Sequence, residues 1–269
     1  MNETKSFFDD DELDIIIRDH LGGVIAVYGE YGTGKSLFGL SCPLEPKLVI
    51  DNHGSTHQYA DIIDFSLKNV DDRNFFETIK EIKVSQNHYG MIMLESMEIV
   101  QDWLFGFAAN RFSASQKEKM KGLVWGETKR LMTNLILDLK KKCDILVITA
   151  HTKSEWVGNK PTGRKEAKFL EPVWDLSYIV AYLHRGKSDI YPTGCVDPQY
   201  GKTRKIHILD GTIYPVFPPL ISPFTWSKLA YYINSPADYK NLKDYEKSRN
   251  AYELIEKLSK ISEAETPNE

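Results

Sequence analysis

Short apolar runs alternate with helix-like segments along the first half of the chain. In each run, apolar residues occupy successive positions, a pattern typical of strands that are buried on both faces of a sheet. The apolar runs lie at 24–28, 47–51, 91–95 and 145–151, and the helix-like segments lie at 74–85 and 115–142. This alternation predicts an α/β fold with a mostly parallel sheet and helices on both of its faces.

Two later segments, 175–185 and 205–217, continue the strand-like pattern. In the second segment, Asp210-Gly211 lies between alternating apolar and polar residues, which is typical of a tight hairpin. We therefore expect the sheet to end in an antiparallel edge hairpin.

Composition divides the chain into three parts. Residues 1–20 form an acidic lead-in that ends in a short segment with the pattern of a helix or an edge strand. Residues 21–235 are predicted to form one domain. From about Ala237 the composition becomes strongly charged, so 236–269 is predicted to be a charged helix followed by an acidic, disordered tail.

Overall composition is that of an ordinary globular protein. The 269 residues are 42% hydrophobic and 27% charged, with a net charge of −4, so any contact with nucleic acid has to come from local basic patches. No apolar run approaches the roughly 18 residues of a membrane span, and no signal-like segment opens the chain. Cys42, Cys143 and Cys195 form no C-x-x-C pair, which predicts buried thiols in a cytoplasmic protein.

A phosphate-binding loop is predicted between the first apolar run and a short helix at 36–41. Residues 29–36 read G-x-x-x-x-G-K-S, in which the glycines let backbone N–H groups approach an anion. The lysine charge would contact the β- and γ-phosphates, and the serine hydroxyl would ligate Mg²⁺. The residues predicted to bind ATP are Gly29, Gly32, Thr33, Gly34, Lys35 and Ser36.

A second acid is needed to hold the magnesium shell, and Glu95 at the end of the 91–95 run is the candidate. Ligands bind at the carboxyl ends of strands in open α/β sheets. The usual residue at this position is an aspartate. Glu95 could therefore hold the Mg²⁺ water shell, or it could polarise the attacking water, with the magnesium acid missing at Leu94. An exposed glutamate at a strand end is the alternative.

Three histidines raise separate questions. His151 follows the 145–151 run, where a polar side chain can sense the γ-phosphate, although an ordinary strand-end histidine would look the same. His53 and His57 resemble a metal-binding pair. We predict no metal at this pair, because no third ligand is evident and Gly54 argues against a helix that would align them.

The segment 152–168 combines five basic residues with two acidic ones, Glu155 and Glu166. Its glycines and proline predict an irregular loop. Positive charge with an aromatic side chain suits single-stranded DNA, and a solvated surface loop is the alternative. The residues predicted to bind DNA are Lys153, Trp156, Lys160, Arg164, Lys165 and Lys168.

Lys202 and Arg204 are two residues apart, so on a strand both side chains would project from one face. At a subunit edge such a pair could reach the γ-phosphate of a neighbouring protomer as a catalytic cationic finger.

The order of these motifs resembles the RecA-like branch of the P-loop ATPases, and in particular the phage- and virus-encoded nucleotide-binding proteins associated with single-strand annealing. The matching segments are GEYGTGKS, VIDNHG, MIMLES, VITAH, WDLSYIVAYLHR and KTR. The resemblance implies Mg²⁺·ATP at 29–36, the magnesium acid at Glu95 and the sensor at His151. It also implies DNA contacts at 152–168, a trans-acting Lys202/Arg204 finger, a ring or filament of identical subunits, and a location in host cytoplasm.

One position departs from this family. RecA-like ATPases carry a catalytic glutamate just after the second strand, and here that position falls on His53, next to Asp51. Slow hydrolysis or a nucleotide-gated switch would fit this site. The leading hypothesis is an ATPase that binds single-stranded DNA in recombination, annealing or replication. The alternatives are a non-hydrolysing assembly protein, in which ATP stabilises an oligomer, and a small-molecule kinase.

Overall fold

The computed structural model describes residues 10–112, 121–157, 160–186, 192–196, 202–203, 206–209, 212–215, 217–218 and 220–234. The helices are α1 (Asp10–Ile16), α2 (Lys35–Leu40), α3 (Phe75–Val84), α4 (Met97–Ala109), α5 (Lys121–Lys140), α6 (Glu171–Leu176) and α7 (Trp226–Asn234). A π-helical turn at Ile17–Leu21 continues α1, and a 3₁₀ turn occupies His57–Tyr59.

The strands are short, and most belong to one sheet. They are β1 (Gly23–Gly29), β2 (Lys47–Asp51), β3 (Ser66–Asn69), β4 (Tyr89–Glu95), β5 (Cys143–Ala150), β6 (Thr152–Val157), β7 (Lys160–Ala167), β8 (Ile179–His184), β9 (Thr193–Cys195), β10 (Lys202–Thr203), β11 (Ile206–Leu209), β12 (Thr212–Pro215) and β13 (Leu220–Ile221).

The main sheet has the strand order β3-β2-β4-β5-β1-β8-β9-β13, and β10 also pairs with β8. The first six of these strands run parallel, whereas β9 and β10 are antiparallel to β8, and β13 is antiparallel to β9. A mostly parallel sheet with an antiparallel edge is the fold class that the sequence predicts, and the prediction is confirmed.

The antiparallel edge is built differently from the prediction. Strands β11 and β12 do pair across the predicted turn, with Leu209 opposite Thr212, but they form a separate two-stranded sheet. The edge of the main sheet consists of β9, β10 and β13 instead. The short segments that form this edge lack an apolar run long enough to predict a strand.

Alternate residues of the parallel strands face two separate cores. Ala26 and Tyr28 of β1 point into the core that α3, α4, α5 and α6 cover, together with Ile92 and Leu94 of β4. Ile25 and Val27 point into the opposite core, which α1, α2 and α7 cover. Because both faces are buried, the strands are continuously apolar, and this is why their positions can be predicted.

The N-terminal helix is part of the second core. Leu13 of α1 and Ile17 and Leu21 of the π-helical turn are buried there. The described part of the lead-in, residues 10–20, therefore packs against the sheet. The predicted charged helix and tail at 236–269 lie outside the described residues.

The three cysteines are free and buried, as predicted. Burial raises the pKa of Cys42 and of Cys143 to about 12, so both remain neutral thiols near pH 7. Among the described helices, none combines the length and the apolar character that crossing a membrane requires.

Candidate functional site

The predicted phosphate loop connects the end of β1 to the start of α2. Gly32 and Gly34 have φ angles of 73° and 89°, which an L-residue with a side chain adopts only at a cost. A Cβ atom on Gly29 would lie 2.5 Å from the carbonyl oxygen of Leu183. The glycines are therefore required by backbone conformation and close packing, and the chain here adopts the open curve that a phosphate group needs.

Lys35 is buried within this loop, with 5% of the residue exposed. Its Nζ atom donates hydrogen bonds to the carbonyl oxygens of Gly29 at 3.1 Å and of Glu30 at 2.9 Å. Burial lowers the pKa of Lys35, although the negative charges of Glu95, Glu98 and Glu30 oppose that effect. The ammonium group thus lies against the loop that it would help to close around an anion.

Thr33 is also buried, and its hydroxyl group donates to the carbonyl oxygen of Glu30 at 2.9 Å. This bond fixes the shape of the loop from inside. Thr33 therefore supports the loop through the protein backbone.

Glu95 ends β4, and one strand, β5, separates it from the phosphate loop on β1. The residue is only 2% exposed, so the alternative of an exposed strand-end glutamate is wrong. Burial raises the pKa of Glu95, while the Thr149 and Ser36 hydroxyls and the Lys35 charge act in the opposite direction. Its Oε2 atom has no hydrogen-bond partner among the described residues.

An unpartnered, buried carboxylate oxygen beside a serine hydroxyl fits the oxygen ligands that Mg²⁺ prefers. Ser36 and Glu95 are the residues that would hold this ion, either directly or through its water shell. The predicted magnesium position therefore agrees with the local chemistry of the site.

A cavity of about 330 Å³ adjoins the phosphate loop. Its wall combines groups from several elements that could contact a nucleotide: Lys35, Ser36, His53, Glu95, His151 and Arg185. The structure thus brings the predicted sensor His151 to the same cavity as the loop and the second acid. Arg185 was not predicted, although its position directly after the β8 run is a signal that sequence reasoning could have used.

Asp51 is fully engaged in holding the loop that follows β2. Its Oδ1 atom accepts the backbone N–H groups of His53 at 2.7 Å and Gly54 at 2.8 Å. Its Oδ2 atom accepts the Thr56 backbone N–H at 2.9 Å and the Thr56 hydroxyl at 2.6 Å. The carboxylate therefore has a structural role, and His53 lines the cavity together with Ser55 and Gln58 of the same loop.

The starts of the β2 loop and of α4 are clamped together. The Asn52 amide accepts the backbone N–H of Ser96 and donates to the Ser96 carbonyl oxygen, both at 2.9 Å. The Asn52 backbone N–H donates to the Glu95 carbonyl oxygen at 2.8 Å. These bonds fix His53 relative to Glu95.

Glu98, in the first turn of α4, is a site residue that sequence reasoning missed. Its Oε1 atom lies 2.5 Å from His151 Nδ1, and its Oε2 atom lies 3.4 Å from the His151 backbone N–H. Burial acts to raise the pKa of Glu98, but the contacts with His151 outweigh it and the net pKa is lowered. The ring of Tyr31 stacks on the His151 ring at 4.7 Å. His151 is thus an oriented side chain and differs from an ordinary strand-end histidine.

The segment 152–168 is ordered differently from the prediction of an irregular loop. Strands β6 and β7 form an antiparallel hairpin in which Thr152 pairs with Ala167 and Trp156 pairs with Pro161. The register shifts between Ser154 and Trp156, and this irregularity accommodates the proline within an extended strand. The prediction of an irregular loop was wrong. Glycine and proline were expected to interrupt a strand here, but pairing between β6 and β7 keeps both segments extended.

The predicted DNA-binding residues occupy this hairpin in different ways. Lys153 pairs with Glu166 at 3.2 Å, and Lys165 pairs with Glu30 at 3.2 Å. Both lysines are exposed, as are Lys160 and Lys168. Trp156 and Arg164 lie on β6 and β7, and their side chains are outside the described part of the structure. Lys202 lies on β10 opposite Val180, again without a described side chain, and Arg204 is outside the described residues.

Glu30 connects the phosphate loop to the hairpin. Its Oε1 atom accepts the Thr152 hydroxyl at 2.8 Å and lies 3.2 Å from Lys165 Nζ. Burial acts to raise the pKa of Glu30, but the contacts with Thr152 and Lys165 lower it below its usual value. Glu30 therefore contacts both strands of the hairpin, β6 through Thr152 and β7 through Lys165.

The loop, the second acid and the parallel sheet together define a P-loop nucleotide-binding protein. A family model described as an AAA domain matches residues 22–207, which is most of the chain. The chain belongs to this AAA-domain family.

No curated protein sequence matches the chain. Among solved structures, the crystal structure of the RadB recombinase is similar with a TM-score of 0.40 and 12% identity, over 73% of this chain and 91% of that chain. Similarity at this level says nothing about a shared activity.

Proposed function

We propose that the protein is a RecA-like, Mg²⁺·ATP-dependent ATPase that binds single-stranded DNA during recombination, annealing or replication, as an oligomer of identical subunits. The observation that carries the nucleotide part of this proposal is the unpartnered Glu95 oxygen beside Ser36 and the buried Lys35 at one cavity. Phage or viral origin belongs to the same hypothesis and rests on the motif resemblance.

Each residue of the cavity has a distinct role in this proposal. Lys35 holds the β- and γ-phosphates, and Ser36 and Glu95 hold Mg²⁺, which neutralises charge on the phosphates when it is bound. His151 contacts the γ-phosphate and is held in place by Glu98 and Tyr31. The Lys202/Arg204 pair acts on the nucleotide of a neighbouring protomer.

Coupling to DNA runs through Glu30. Four exposed lysines lie on the hairpin or directly after it, Lys153, Lys160, Lys165 and Lys168. The two strands contact the phosphate loop through Thr152 and Lys165. A bound triphosphate that moved Glu30 would change the position of the hairpin, and DNA on the hairpin would change the loop. Lysine contacts to DNA phosphates make such binding dependent on salt concentration.

A second function, a non-hydrolysing assembly protein, is supported by the loop after β2. The Asp51 carboxylate already accepts four hydrogen bonds from its own loop. His53 occupies the position at which a catalytic glutamate is expected. If no carboxylate of this loop orients water, the site would bind ATP and hydrolyse it slowly.

Phosphate release measured with and without single-stranded DNA separates these functions. A DNA-dependent ATPase releases phosphate faster when DNA is present, and Lys35→Ala abolishes the release. Lys80→Ala serves as the matched control, because Lys80 is an exposed residue of α3 that pairs with Glu77 and does not line the cavity.

For the assembly function, phosphate release stays at background, while the oligomer size depends on Mg²⁺·ATP. Phosphate release that is equal in the wild type and in Lys35→Ala would contradict both functions.

A further inference from the structure

We propose that His53, Glu98 and His151 form a binding site for one borderline divalent metal ion of the Zn²⁺ class. One nitrogen of each imidazole and one carboxylate oxygen lie within 4.8 Å of one another. The three residues come from the loop after β2, the first turn of α4 and the end of β5. The proposal does not depend on nucleotide binding, and it concerns a different position from the magnesium ligands Ser36 and Glu95.

Two of the three interatomic distances are close to those of a tetrahedral site. Zn²⁺ binds histidine nitrogen and carboxylate oxygen at about 2.0–2.1 Å, which places neighbouring ligand atoms roughly 3.3 Å apart. Glu98 Oε1 lies 2.5 Å from His151 Nδ1 and 4.0 Å from His53 Nε2. The two distances fall on either side of the tetrahedral value, so shifts of less than about 1 Å would bring both to it.

The ligand types select the metal. Two imidazoles with one carboxylate suit Zn²⁺, Co²⁺ and similar ions, whereas Mg²⁺ prefers oxygen ligands alone. Glu98 is buried, so water solvates its negative charge poorly, and a bound cation would stabilise that charge. The His53 side chain is 28% exposed, which leaves a path for the ion to enter.

The surrounding bonds hold the ligands in position before an ion binds. Asp51 fixes the loop that carries His53, and Asn52 ties that loop to Ser96, two residues before Glu98. Such supporting contacts orient metal ligands in known sites. His53 and His151 also line the phosphate-loop cavity, so a fourth coordination position, for water or an anion, would be accessible from it.

Sequence reasoning had paired His53 with His57 and rejected a metal because a third ligand was absent. In the structure the His57 ring bonds to Asn69 at 2.9 Å, and His53 instead faces Glu98 and His151. The other two ligands come from α4 and from the end of β5, and the spacing along the chain could not reveal them.

Titration of the nucleotide-free full chain with Co²⁺, in excess Mg²⁺, tests the proposal. Tetrahedral Co²⁺ has a strong visible d–d absorption, and excess Mg²⁺ occupies oxygen-ligand sites. The expected result is saturation at one equivalent, with the band lost when Zn²⁺ is added. Protons compete with the metal ion for the imidazole nitrogens, so we also expect weaker Co²⁺ binding at lower pH.

Three variants identify the ligands. His53→Ala and Glu98→Gln should each weaken Co²⁺ binding at least tenfold. His57→Ala, in the same loop, should leave the affinity unchanged and is the matched control. Thermal unfolding of each metal-free variant verifies that it is folded, and for a variant that is not folded, His151→Ala replaces it.

Two results would overturn the proposal. One is the absence of a saturable tetrahedral Co²⁺ band in the wild type, which would leave the cluster as a hydrogen-bond network. The other is equal weakening in His53→Ala and His57→Ala, which would indicate adventitious binding by surface histidines. Neither result bears on ATP binding, which is measured separately.

Discussion

Replacement of Asp51 by asparagine distinguishes a structural carboxylate from a catalytic one. The asparagine retains one acceptor oxygen for the His53 and Gly54 N–H groups and places an NH₂ group against the Thr56 backbone N–H. Thr56 is fully buried, so its N–H group would lose its partner without gaining water. An unsatisfied buried donor costs about 1–3 kcal/mol, and the loss of charge assistance in the remaining bonds raises the total to about 2–4 kcal/mol.

The assay is chemical denaturation of the wild type and the variant, analysed as the free energy of unfolding. Asp71→Asn provides a matched control, because Asp71 also accepts two backbone N–H groups, from Arg73 and Asn74, but its side chain is 51% exposed. Water can replace those hydrogen bonds, so we expect Asp71→Asn to lower the free energy of unfolding by less than about 1 kcal/mol.

An equal decrease in the free energy of unfolding in Asp51→Asn and Asp71→Asn would refute the claim that burial makes the Asp51 hydrogen bonds more important. An unchanged stability in Asp51→Asn combined with a loss of phosphate release would show that Asp51 acts in catalysis. The same measurement therefore bears on whether the β2 loop supplies a base or only a scaffold.

Two further predictions concern the charged groups around the phosphate loop. Burial raises the pKa of Glu95, so the protonated form is favoured on folding, and stability is lost as pH rises through the folded-state pKa. Glu95→Gln should therefore raise the melting temperature of the nucleotide-free protein at pH 7 and abolish the Mg²⁺-dependent part of ATP binding; an unchanged melting temperature would contradict this. Glu30→Gln should reduce the stimulation of phosphate release by single-stranded DNA while basal release remains, because it weakens the contacts with Thr152 and Lys165. Full stimulation in this variant would exclude Glu30 as the connection.

The sequence predicts well those parts of the molecule whose signals are local. The run 47–51 corresponds to β2 at Lys47–Asp51, because its centre, Leu48–Ile50, is buried on both faces of the sheet and is therefore apolar. The phosphate loop is equally local, since two of its glycines, Gly32 and Gly34, are required by their own φ angles.

Contacts between distant segments could not be predicted in the same way. Glu30 and Thr152 are 122 positions apart, and Glu98 and His151 are 53 positions apart, yet strand pairing places them in contact. The hairpin at 152–168 was also missed, because its stability depends on pairing between β6 and β7. Local residue preferences of glycine and proline favour a loop there, and tertiary context overrides them.

Calorimetric titration of the full chain with Mg²⁺·ATP, repeated with Mg²⁺·GTP, tests the central claim most directly. The phosphate loop, with Lys35 and Ser36 facing Glu95, predicts saturable binding of one triphosphate per chain for at least one of the two nucleotides. It also predicts that chelation of Mg²⁺ weakens the binding and that Lys35→Ala weakens it at least tenfold. The absence of binding heat with both nucleotides, for a wild-type chain shown to be folded by its unfolding transition, would contradict the claim.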